Sequence, residues 1–142
     1  MMGIEDRIIQ ARGGGVIVGI RAVQGCTLED AAGHFGLFPE RAHYFEIDAA
    51  EAQAVLVAVL SRDMAYGINL VPPDEAQALA AAFVGQFAKE SAGYYTNGDY
   101  GKPKTTSGVG PGWNPVTDAT FDTGVLVVSP SRIACAWFMD ED

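Results

Sequence analysis

The sequence predicts a single α+β domain, with about four strands in a mainly antiparallel sheet and two long helices packed on one face. Three observations carry this. The chain has 142 residues, the usual size of one domain with one core. Hydrophobic residues make up 49% of it and charged residues only 19%, so it has ample apolar surface to collapse. Short runs dense in β-branched residues occur beside two longer segments whose apolar positions recur at helical spacing.

In chain order, residues 4–12 are expected to form a short helix that Gly13-Gly14-Gly15 stops. Val16, Val18 and Ile20 then alternate with Ile17, Gly19 and Arg21, which fits a strand buried mostly on both faces. Thr27 is placed to cap a short helix through Ala32, because its hydroxyl can accept a bond from a free amide of the first turn. His43, Phe45 and Ile47 alternate with Tyr44 and Glu46, as in a strand with one inward face. Asp48 and Glu51 form a capping-box pattern ahead of an apolar run to Leu60, a buried helix. From about Asp74 to Glu90, a stripe of Ala76, Leu79, Ala80, Phe83 and Phe87 predicts a helix lying on the sheet.

Residues 93–124 differ in kind from the rest. They are rich in glycine, contain Pro103, Pro111 and Pro115, and carry Tyr94, Tyr95, Tyr100, Trp113 and Phe121. A structureless loop of that length is uncommon in a compact domain and is usually functional, although Asn97-Gly98 offers a tight hairpin turn. Residues 124–128 and 132–138 are apolar on both faces, as expected of adjacent central strands joined by the Ser129-Pro130-Ser131 turn. Ala134 and Ala136 leave one face small enough for a helix to approach closely.

Composition also bounds function. Eighteen acids against nine bases give a net charge of −9, and the bases are scattered, so the basic footprint of a nucleic-acid-binding protein is missing. An acidic protein of this kind steers basic protein partners towards itself. The first residues lack the positive flank and apolar stretch of a secretory signal, and the most apolar run is too short to cross a bilayer, so a cytoplasmic location without a membrane partner is expected.

Motifs for chemistry are weak. Gly13-Gly14-Gly15 precedes a strand, whereas a phosphate loop follows a strand and opens a helix. Cys26, His34, His43 and Cys135 match no zinc spacing, and two cysteines in a chain of this length read as reduced thiols. No cofactor is implied, and an enzyme is the less favoured class.

Two functional expectations follow. The first is a small acidic binding protein, an inhibitor of the immunity type that neutralises a toxin or other basic protein. Its partner-binding residues would be Tyr100, Trp113, Asp118, Asp122, Asp140 and Glu141, carboxylates beside aromatic anchors on a convex surface. The alternative is a small-ligand binder or enzyme with a site between the sheet and residues 93–124, using Asp99, Tyr100, Asp118, Asp122 and His43. A homodimer whose apolar strands continue into a second copy is compatible with either.

Overall fold

A computed structural model of the protein describes residues 3–99 and 112–141. Five strands, β1 (Gly15–Arg21), β2 (Phe45–Ile47), β3 (Gly93–Thr96), β4 (Phe121–Val128) and β5 (Ile133–Asp140), form one sheet in the order β1-β5-β4-β3-β2. Every neighbouring pair is antiparallel. Among the described residues four helices accompany it, α1 (Ile4–Arg12), α2 (Leu28–His34), α3 (Ala49–Ser61) and α4 (Pro73–Gly85), with one 3-10 turn at Arg41–His43.

The α+β class is as expected, and the two apolar C-terminal strands are central, paired from Phe121↔Asp140 to Val128↔Ile133. The caps also form. Thr27 Oγ1 accepts from the Asp30 amide at 3.1 Å, and Asp48 Oδ1 accepts from the Glu51 amide at 2.7 Å. Gly13 closes α1 with φ +67°, a left-handed backbone that suits glycine.

Three details are corrected. The sheet has five strands because β3 is hidden in the glycine-rich segment, where four residues are too few to show an alternation. Asn97-Gly98 does not make a tight hairpin turn. Gly98 instead bridges Trp113, and the Asp99 amide donates to Gly112 O at 3.0 Å, so residues 97–99 and 112–114 run side by side as a short ladder. Finally, β1 is not buried on both faces, because it lies at the edge of the sheet and its Val16, Ile17 and Val18 are only half-buried.

The sheet separates two cores. On one face α1, α3 and α4 pack Ile8, Leu56, Leu60 and Phe83, with Phe87 from the turn after α4, against Val125, Val127, Ala134, Ala136 and Phe138. The two long helices thus share a face, as expected, and α1 joins them. On the other face α2 and the segments around it set Leu28, Ala31, Leu37, Tyr44 and Val116 against Leu126, Ile133, Cys135 and Trp137. At Gly124 an added Cβ would lie 2.2 Å from Ala136 O, so β4 can pass this close to β5 only with glycine there.

Candidate functional site

Asp122 begins the site. It is the second residue of β4 and fully buried, on the face of Trp137, whose Nε1 donates to Asp122 Oδ1 at 3.1 Å. Asn97 Nδ2 donates to the same oxygen at 3.0 Å. The Val116 amide, the Thr117 amide and Thr117 Oγ1 donate to Oδ2 at 3.2, 3.2 and 3.0 Å. Both oxygens of this carboxyl thus accept hydrogen bonds from several donors, which makes its burial tolerable. Asp122 therefore does not offer a carboxylate to a partner, a correction to the sequence expectation. It fastens residues 114–118 to the sheet, and Asp118 stands exposed just beyond the anchor.

Asn97 completes the anchor. It is fully buried, donates to Asn114 O at 2.9 Å and to Asp122 O at 3.0 Å, and accepts from Thr123 Oγ1 at 2.6 Å. Tyr44 holds the opposite wall. Its hydroxyl donates to Phe38 O at 2.6 Å while its ring packs edge-on to Trp137. Burial, with the Cys135 thiol and the Asp122 carboxyl nearby, pushes the Tyr44 phenol above its ordinary value, so it remains a neutral donor.

Between these walls lies an open hollow of about 1040 Å³, set between the sheet and residues 115–119, so Asp118 stands at a concave feature where a convex surface was expected of an inhibitor. Ile17, Leu37, Val116 and Met139 give it apolar surface, and Phe38, which is 50% exposed, stands at its side. His43 lines it too, with Nδ1 3.1 Å from Pro115 O and its ring tilted on Phe38 at 5.0 Å. Asp118, Asp140 and Glu141 also line it, and no lysine or arginine does among the described residues.

The three acids differ. Asp118 and Glu141 are exposed, and Glu141 accepts from the Thr120 amide at 3.2 Å and from Thr120 Oγ1. Asp140 lines the hollow, but its carboxylate turns to the helix face. Arg12 clasps it with both guanidinium ends, at 2.9 and 2.6 Å, while Asp140 Oδ2 also accepts from the Met64 amide at 2.8 Å. Arg12 Nε donates to Val59 O as well, so this pair ties α1, α3 and β5 together and is structural.

No family model, curated protein or solved structure matches this chain. The hollow is accordingly judged on its own chemistry.

The remaining sequence candidates fall elsewhere. Trp113 is half-buried, packs on Phe121 at 5.3 Å, and borders a second hollow of about 570 Å³ with Phe45, Glu46 and Asp99. Asp118 lines the first hollow and not this one. Tyr100 lies outside the described residues. Tyr94 and Tyr95 are strand residues of β3 packed into the two cores, so they pin the segment to its own domain. Among the described residues no cluster of His, Cys, Asp and Glu could hold a metal, and no helix is long and apolar enough to cross a membrane. Sequence reasoning missed Ile17, Leu37, Phe38 and Met139, which three distant segments bring together and no local pattern marks.

Proposed function

We propose that this protein is a small acidic binding protein that takes a basic protein partner into the hollow on the α2 face, as an inhibitor of the immunity type would. The observation that carries this reading is the lining of the hollow: an apolar floor, an exposed Phe38, and charged groups that are all acidic in a chain of net charge −9. An apolar side chain of the partner would enter the hollow while a neighbouring lysine or arginine meets Asp118, which joins desolvated contact to charge steering. The wall bearing Asp118 is held by the Asp122 anchor, so little ordering cost falls on binding.

The test is capture of a partner from a lysate of the source cell by the wild-type protein and by Phe38→Ala and Asp118→Lys variants. The expected result is one basic protein retained by the wild type, weakened by Phe38→Ala, lost with Asp118→Lys, and bound less tightly as salt rises. If no basic protein is retained and a small molecule instead raises the melting temperature of the wild type, the hollow is a ligand pocket and the inhibitor reading fails.

A further inference from the structure

The two edges of the sheet are built differently. β2 is three residues long, carries Glu46 at its centre and is followed by Asp48. Short length and charge are the usual protections of an edge against pairing with another chain. β1 has neither. It runs seven residues, Gly15-Val-Ile-Val-Gly-Ile-Arg21, with no charge before Arg21 and no proline. Its register with β5 is unbroken from Gly15↔Met139 to Arg21↔Ile133, so no bulge twists the edge away. Among the described residues β1 pairs with β5 alone.

We propose that two copies of this chain pair edge to edge through β1, antiparallel about Val18, so that one continuous sheet crosses the dimer. The strand complements itself in this arrangement. Pairing about Val18 sets Ile20 opposite Val16 and Gly19 opposite Ile17 of the second copy, with Arg21 opposite its Gly15. Paired residues of an antiparallel ladder point to the same face, so Arg21 of one copy lies on the α2 face of the other.

That placement supplies the charge match. Arg21 is exposed, its guanidinium carbon sits 5.8 Å from the Phe35 ring, and it has no carboxylate partner among the described residues. Gly15 has no side chain to block its path, and Gly15, Met139 and Glu141 line one hollow, so an arginine set over Gly15 enters that hollow, where the exposed Glu141 stands two residues beyond Met139. Two symmetric Arg21–Glu141 pairs offset part of the repulsion between chains that each carry −9. A strand of another protein would satisfy the backbone equally, but it would not supply an arginine at this position by symmetry.

Both readings use Glu141 at the hollow, but this one is tested on the purified chain alone, so its failure is distinguishable from failure of the basic-partner reading. Sedimentation equilibrium at tens of micromolar is expected to give twice the chain mass of 15.0 kDa. Arg21→Glu should shift the protein to the monomer, with its circular dichroism unchanged because Arg21 is exposed. Arg21→Glu combined with Glu141→Arg should restore the dimer, which loss of folding would not do. Amides of residues 15–21 should exchange more slowly in the dimer than in the Arg21→Glu monomer. A wild-type monomer overturns the proposal, and so does a dimer whose mass and β1 exchange are indifferent to Arg21→Glu.

Discussion

The face of the sheet under α1, α3 and α4 is closed by aliphatic and aromatic side chains, whereas the face under α2 is closed in part by hydrogen bonds gathered on Asp122. On the first face Phe83, Phe87, Leu56 and Leu60 are buried at 2% exposure or less, and stability there depends on volume. On the second, an irregular segment without helix or strand, residues 114–120, must be held over the sheet, and apolar contact through Val116 alone could not fix its position. Hydrogen bonds have direction, so they can place Asp118 at a rim where packing could only cover it. The contrast teaches that the polar core belongs to the face that leaves a hollow.

The comparison can be broken at several strengths. Phe83→Ala should destabilise the protein most, by about 4 kcal/mol in urea unfolding followed by circular dichroism, with Phe83→Leu recovering most of that loss. Asp122→Asn keeps the volume but sets an amide donor against the Val116 and Thr117 amides or Trp137 Nε1. It should still cost about 3 kcal/mol. If Asp122→Asn were neutral, the second face would be held by packing like the first, and the distinction would fall.

A smaller effect comes from the far end of β4. Hydrogen bonds from Arg132, then Ser129, hold the Glu90 carboxyl below its ordinary value of 4.5. A carboxyl lowered on folding contributes stability that is present above its ordinary value and lost as pH falls through the folded one. The melting temperature of the wild type should therefore fall slightly more steeply below about pH 4.5 than that of Glu90→Gln, and parallel curves would show that the Glu90–Arg132 pair contributes nothing. Smallest of all, Asp118→Lys should change stability by no more than about 0.5 kcal/mol, since an exposed rim position is dispensable for folding. A larger loss would mean that Asp118 belongs to the anchor and not to the surface.

Much of the fold was legible because its signals are local. The Thr27 and Asp48 caps lie within three residues of the amides they bind, and the apolar runs of β4 and β5 announce central strands. β3 was not, since its four residues are defined by their pairing with β2 and β4. The inward turn of Asp122 was readable in part. Extending β4 back to Phe121 puts Asp122 in phase with Gly124 and Leu126, on the face of Trp137. Asp140 was harder, because its partner Arg12 lies 128 residues away. The hollow was not legible at all, as its lining comes from four segments that only the sheet order brings together.

The two thiols give the molecule a built-in clock. Cys135 has no exposed surface, and burial pushes its thiol well above the ordinary value, whereas Cys26 is half-buried and raised by burial with Asp30 nearby. A thiolate-seeking reagent therefore meets Cys26 in the folded protein and reaches Cys135 only when β4 and β5 lose their cover. Mass spectrometry of singly and doubly alkylated chains would time the opening of the central strands through the native cysteines, with no residue introduced.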